Sequence, residues 1–173
     1  MIHFLPVRLE LVGLMGLLLA AGAVVQASPR ATTTRPAPKA SYSGRWALDL
    51  AASDLGKRAR VPRTRTDELR EDGAWMHVRS VSVRDDGDTL LLIYSYREDG
   101  EAVNTVAGQD VRTRGRRERD LLRFESVATV MLMQIRQVER WSLSPDRNTF
   151  TIARETRSPL GNDVQRLVFR RAN

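Results

Sequence analysis

The sequence predicts an all-β fold: an antiparallel up-and-down β-barrel of about eight to ten strands, with a flattened β-sandwich as the alternative. Three observations carry this. From Tyr42 onward, short runs rich in valine, isoleucine, threonine and aromatic residues are bounded by clusters of Asp, Gly, Asn and Pro. The turn signals recur about every thirteen residues, a spacing that suits a meander. No helical pattern of ten or more residues alternates with these runs, which argues against a parallel α/β arrangement. A meander that closes on itself also removes its exposed edges.

The segment before the first run reads as an export signal and a tether. Arg8 precedes an apolar stretch from Leu11 to Val25, and Val25-Gln26-Ala27 presents a small residue at the first and third positions before Ser28. Signal peptidase accepts that pattern, so cleavage is expected after Ala27. The apolar stretch is short of the roughly twenty residues that span a bilayer, so residues 1–27 are read as a removed signal with no transmembrane anchor left behind. Residues 28–41 carry three prolines and almost nothing apolar, and cannot offset their ordering entropy; they are expected to form an extended linker. Residues 42–173 remain, enough for one domain with a real core and too few for two. The expected location is outside the cytoplasm, in a periplasm or the extracellular medium.

Along the domain, Trp75 to Arg84 ends at Asp85-Asp86-Gly87-Asp88, and Thr89 to Arg97 ends at Glu98-Asp99-Gly100. Asp-Gly between such runs marks a hairpin, because glycine takes the positive φ that a tight turn needs. Gln137 to Leu143, Asn148 to Thr156 and Val164 to Arg171 are separated by Ser144-Pro145-Asp146-Arg147 and by Ser158-Pro159-Leu160-Gly161-Asn162, again turn chemistry where alternation stops. Between these blocks lie Glu101 to Val106, Gln109 to Gly115, Arg119 to Ser126 and Ala128 to Arg136. The last has the methionines and leucine of a short helix, but its valines, threonine and isoleucine favour a strand. Ser53 to Gly73 lacks clean alternation and is read as a long loop with a helical turn at Thr66 to Glu71, closing one end of the barrel.

Two stretches resemble a known pattern. Ser43-Gly44-Arg45-Trp46-Ala47-Leu48-Asp49-Leu50-Ala51-Ala52-Ser53-Asp54 resembles the G-x-W opening of uncharacterised exported bacterial proteins with lipocalin-like β-barrels. Glu139-Arg140-Trp141-Ser142-Leu143-Ser144-Pro145-Asp146, Thr149-Phe150-Thr151-Ile152 and Gln165-Arg166-Leu167-Val168-Phe169 resemble their W-x-L-S-x-D closing hairpins, with Arg147-Asn148 where a D-G-(K/R) turn is usual. The resemblance covers both ends of the domain. It implies a lipocalin-like barrel in which Trp46 packs at the closed end beneath an arginine near the last strand, Arg170 or Arg171. It implies no activity.

The composition excludes several chemistries. The chain has no cysteine, hence no disulfide, lipoprotein anchor or cysteine-ligated metal. His3 leaves with the signal, and His77 alone supports neither a His-rich metal site nor a ready Ser-His-Asp triad, so it is read as an ordinary strand residue. The carboxylate groups Asp85/Asp86/Asp88, Asp67/Glu68 and Glu98/Asp99 sit beside glycine and charged residues and read as solvated turn acids. No catalytic residue, metal or cofactor is therefore expected, and the protein reads as a non-enzymatic binding module.

Two binding readings stand. The apolar runs Leu90 to Tyr96 and Val130 to Ile135 have one face to fill the barrel, either as plain core or around a small apolar ligand; Trp46, Leu92, Tyr94 and Trp141 are the candidate interior contacts. Alternatively, the net charge of +7, nearly all of it from arginine, suits an anionic envelope component such as anionic lipid or lipopolysaccharide. Arg112, Arg114, Arg116 and Arg117 are the candidate anion contacts, with Arg58, Arg60, Arg63 and Arg65 as a second cluster; the plain alternative for both is a solvated face. Export and the scarcity of nearby aromatics argue against nucleic acid. Edman sequencing of protein isolated from its native host should begin at Ser28, and a mature chain beginning at Met1 refutes the export reading.

Overall fold

A strand alternates its side chains between two faces, so a run is legible as half-buried when every second residue is apolar. The computed structural model describes residues 41–57 and 61–172, and shows ten strands built on that rule. They are β1 (Gly44–Leu48), β2 (Thr64–Asp72), β3 (Trp75–Val83), β4 (Thr89–Arg97), β5 (Glu101–Val106), β6 (Gln109–Glu118), β7 (Leu121–Val130), β8 (Met133–Leu143), β9 (Thr149–Ser158) and β10 (Gly161–Ala172). The described residues contain no helix. The signal, its cleavage site and all but the last residue of the linker lie outside them, as do Arg58 and Arg60.

Every pairing is antiparallel, in the order β4-β3-β2-β1-β10-β9-β8-β7-β6-β5. Except for β4 and β5, neighbours in sequence are neighbours in the sheet, and β1 pairs β10 with Trp46 opposite Arg171. This is a nearly closed up-and-down barrel rather than a sandwich. The remaining seam, between β4 and β5, has no strand ladder. The Asn104 side chain substitutes for one: its amide oxygen accepts from the Ser95 N–H at 2.7 Å and its amide nitrogen donates to the Ser95 carbonyl at 2.9 Å. Below it, the Gly115 N–H donates to the Gly100 carbonyl at 2.8 Å.

Three sequence expectations are corrected. Asp99-Gly100 turns the chain but closes no hairpin: β4 and β5 are the two ends of the sheet order, and Gly100 is not among the glycines with positive φ. Thr64–Asp72 is strand β2, not loop or helical turn. Its inward positions are Arg65, Asp67, Leu69 and Glu71, so the alternation is real but charged residues hold the inner face, which hid it. Ala128 to Arg136 is not one strand but a hairpin, the end of β7 and the start of β8 around Met131-Leu132. Both turn residues have positive φ, 48° and 65°, and both are exposed, at 86% and 99%. That geometry normally selects Asn or Gly, so no turn signal was available in the sequence.

One end of the barrel is packed solid. Tyr42, Trp46, Phe124, Trp141, Phe150 and Phe169 are fully or almost fully buried there, with ring centroids 4.9 Å apart for Phe124 and Trp141 and 5.1 Å for Trp141 and Phe150. Edge-to-face rings at these separations are in the favourable range for aromatic pairs. Trp46 donates from Nε1 to the Tyr42 carbonyl at 2.9 Å, and the Arg171 guanidinium covers its ring 4.5 Å from the centroid. The arginine of the expected cation–π contact is thus Arg171. Arg170 turns away to Asp49, at 3.2 Å.

Gly115 has a stricter role than allowing a bend. A Cβ at this position would lie 1.7 Å from the carbonyl oxygen of Arg97, which is backbone and has little freedom to yield. The end of β4 crosses β6 here, and the barrel closes because the side chain is absent. Gly115→Ala is expected to destabilise by roughly 2–3 kcal/mol, the upper part of the overpacking range. Urea unfolding of the two proteins checks this; a difference below about 0.5 kcal/mol means the crossing is not tight.

Candidate ligand-binding cavity

Strand register stacks the inner face of the barrel in layers from its open mouth downward. Val111, Ala128 and Ile135 are mutual partners across β6, β7 and β8 and form an apolar ring near the mouth. One step lower, Thr113, Ser126, Gln137 and Thr156 face one another, and the Thr113 and Ser126 hydroxyls are 2.8 Å apart. The next layer holds Phe124, Glu139, Arg154 and Gln165, and the one below is the packed core of Leu122, Trp141, Ile152 and Leu167. The interior therefore changes from apolar to hydroxylic to charged before it becomes solid.

A cavity of about 300 Å³ occupies the upper layers. Its walls are Leu92, Val106, Val111, Ala128 and Ile135, with Asn104 of the β4/β5 seam on one side. Its floor is Arg65, Tyr94, Tyr96, Glu139 and Arg154. Arg65 and Arg154 also border a smaller cavity of about 220 Å³, covered by Leu55 and Pro62 from the β1–β2 connection, so the two guanidinium groups divide the interior.

The floor is a satisfied network. Glu139, with its side chain almost fully buried, accepts from Trp141 Nε1 at 2.8 Å, Gln137 Nε2 at 2.9 Å and Arg154 Nε at 2.8 Å, with the Tyr96 hydroxyl at 3.4 Å. Asp67 accepts from Arg65 Nε and Nη2, at 2.8 and 2.7 Å, and from the Ser80 hydroxyl at 2.7 Å. Burial pulls the Arg65 pKa down, but the hydrogen bonds and charge of Asp67 more than offset this and hold it above the usual arginine value. Arg154 is likewise raised: burial lowers its pKa, and the charge of Glu139 overcomes that. Burial pushes the Tyr94 and Tyr96 phenols up, with the negative charge of Asp67 adding for the first and that of Glu139 for the second. Two buried carboxylates thus differ from the solvated turn acids expected of this chain. Asp67 is one; the other pair member corrected is Glu98, buried and paired with Arg117 at 2.8 Å.

The candidate residues separate cleanly. Leu92 and Tyr94 line the cavity. Trp46 and Trp141 do not: both lie in the packed core beneath, and Trp141 reaches the cavity floor only through its hydrogen bond to Glu139. Arg112, Arg114 and Arg116 share the outer face of β6, but Arg117 points inward, over the Tyr42 ring and onto Glu98. The outer face is a mosaic rather than a positive field: Arg112 lies 3.6 Å from Glu101, Arg114 is registered between Glu101 and Glu125, and Arg116 lies 4.0 Å from Glu118. In the second basic cluster, Arg65 is an interior residue. His77 bonds to the Ser95 hydroxyl at 2.8 Å, and no group of three potential metal ligands occurs among the described residues. Gln137, Glu139 and Arg154 were not singled out, and Arg65 and Asp67 were read as surface charges, although a signal existed. If Trp141 and Leu143 point inward, period two places Gln137 and Glu139 on the same face.

No family model matches the sequence, and no curated protein matches it. Among solved structures, the chain is similar to a secretory abundant heat soluble protein from Ramazzottius varieornatus, at 10% identity and a TM-score of 0.53, over 76% of this chain and 95% of that one. A second, secretory abundant heat soluble protein 4 from the same organism, gives 11% identity and 0.51, over 76% and 94%. Zebrafish ileal bile acid-binding protein, in complex with cholic acid, gives 9% and 0.48, over 76% and 98%. The first two show the fold alone, and the third adds nothing to that. The class these observations define is a ten-stranded up-and-down β-barrel of lipocalin-like type.

All three tyrosines of the chain, Tyr42, Tyr94 and Tyr96, are held protonated by the fold. Burial pushes Tyr42 up to about 12. A folded pKa raised above the unfolded value of 10.0 stabilises fully below that value and is lost as pH rises through the folded one. Tyrosinate absorbance should therefore stay flat through pH 10 and rise only with loss of the β-sheet circular dichroism signal at higher pH. Ionisation near pH 10 with the sheet intact contradicts the burial of these rings.

Proposed function

We propose that the barrel is an exported, non-enzymatic binding module that holds a small molecule with an apolar portion in its upper cavity. The observation that supports this is the division of the interior. The closed end is filled to the last aromatic ring, whereas the mouth half keeps about 300 Å³ open behind an apolar ring and above a polar floor. A volume of that order lies at the small end of the range for ligand pockets, and apolar walls with a few placed polar groups are what such pockets use. The export part of the reading rests on the sequence of residues 1–27.

The outer arginine face does not compete as a site, because its cations already have carboxylates beside them: Glu101 on β5 stands beside Arg112, and Glu118 and Glu125 lie two residues from Arg116 and Arg123 on their own strands. A polyanion would have to displace those pairs, each exposed and weak.

Ala128 is the residue whose enlargement fills the cavity with least disturbance elsewhere, since it faces Val111 and Ile135 across the apolar ring. Ala128→Phe is expected to lower the affinity for an environment-sensitive apolar dye, N-phenyl-1-naphthylamine, by at least about tenfold. Arg114→Gln on the outer face should leave it unchanged. Fluorescence titration decides: dye binding that survives Ala128→Phe, or that is lost in Arg114→Gln, refutes the cavity as the site.

A further inference from the structure

The floor of the cavity holds two guanidinium groups and two carboxylates, and its charges cancel internally. Arg154 is fully committed: Nε and Nη2 to Glu139, and Nη1 to the Gln165 side-chain oxygen at 3.1 Å. Arg65 gives Nε and Nη2 to Asp67. Its Nη1 has no partner among the described residues, and neither does the Tyr94 hydroxyl, although both side chains line the cavity. What the floor offers an incoming ligand is therefore hydrogen-bonding capacity without net charge.

We propose that the cavity selects an uncharged amphiphile, with a hydroxyl or carbonyl oxygen as its polar head, over the corresponding carboxylate. This rests on the reading of the barrel as a binding module. A carboxylate head would add a third negative group to a cluster already balanced two against two, and its lost hydration would be repaid by no free cation. An uncharged oxygen loses far less hydration on entry and gains a charge-assisted hydrogen bond from Arg65 Nη1, with Tyr94 as a second contact. The apolar tail then lies against Leu92, Val106 and the Val111–Ala128–Ile135 ring. The selectivity is set by Asp67 and Glu139, which hold the two arginines and act as positioning and charge-balancing residues.

The test is displacement of bound N-phenyl-1-naphthylamine by decanol and by decanoate at about pH 8, where the acid is ionised. Decanol is expected to bind at least about tenfold tighter. Decanoate that binds as well or better overturns this inference and leaves the cavity reading standing. Failure of the dye and both competitors to bind overturns the cavity reading and this inference with it. In Glu139→Gln the floor carries one net positive charge, and the ratio should move toward decanoate by at least about tenfold. If that variant does not fold, Asp67→Asn makes the same change on the other pair. A ratio that stays unchanged in a folded variant of either kind overturns the assignment of selectivity to charge balance.

Discussion

The Glu139 carboxylate joins the two halves of this barrel. From below it takes the Trp141 indole N–H, which belongs to the packed aromatic end; from its own level it takes Arg154 and the Tyr96 hydroxyl, and from the layer above it takes Gln137. A buried carboxylate is tolerated only when its acceptors are filled and its charge is matched, and here both conditions hold through residues on β4, β8 and β9. Removing any one donor leaves the others around a partly bare charge, so the positions of Arg154, Gln137 and Tyr96 are coupled through this single group. The Asp67 site repeats the arrangement on β2, with Arg65 and Ser80.

The consequence is a barrel with different physics at its two ends. Below Glu139, stability comes from aromatic rings in close contact, from Trp46 capped by Arg171, and from Tyr42 reaching the carbonyls of Trp141 and Asp120. Above it, the interior is hydroxylic and then apolar with space left over, and the unladdered β4/β5 seam lies directly beside that space, closed by Asn104. Packing fixes the lower half; hydrogen bonds fix the upper one. A pocket in the upper half is thus supported from below by a rigid base and bounded on one side by the least firmly joined strands of the sheet.

Charge is distributed with the same logic on both surfaces of the wall. Part of the arginine excess that dominates the composition is answered locally. On the outside, Glu101 of β5, Glu118 of β6 itself and Glu125 of β7 stand beside the β6 arginines; on the inside, Asp67, Glu98 and Glu139 pair with Arg65, Arg117 and Arg154. Net charge read from composition overstated the positive field available to an external anion, because cross-strand neighbours cannot be seen until the register is known.

By itself the sequence determined the all-β class, the hairpins at Asp86-Gly87 and Pro145-Asp146, and the burial of Trp46 and Trp141, because turn residues and apolar alternation are local properties; Asp99-Gly100 marked a turn, but β4 and β5 do not pair across it. It also placed Leu92 and Tyr94 on the inner face. It did not disclose β2 or the Met131-Leu132 turn. β2 carries charge on its inner face, legible as strand only when Asp67 is seen against Ser80 and Arg65, and the turn places apolar residues in a conformation usually left to glycine and asparagine. Only the tertiary structure decided which face of the Arg112–Arg117 run each arginine occupies, that Arg171 rather than Arg170 covers Trp46, and that the interior is solid at one end and open at the other. Those are matters of register and closure among strands far apart in the chain, and a buried charge looks the same as a solvated one until its partner arrives from another strand.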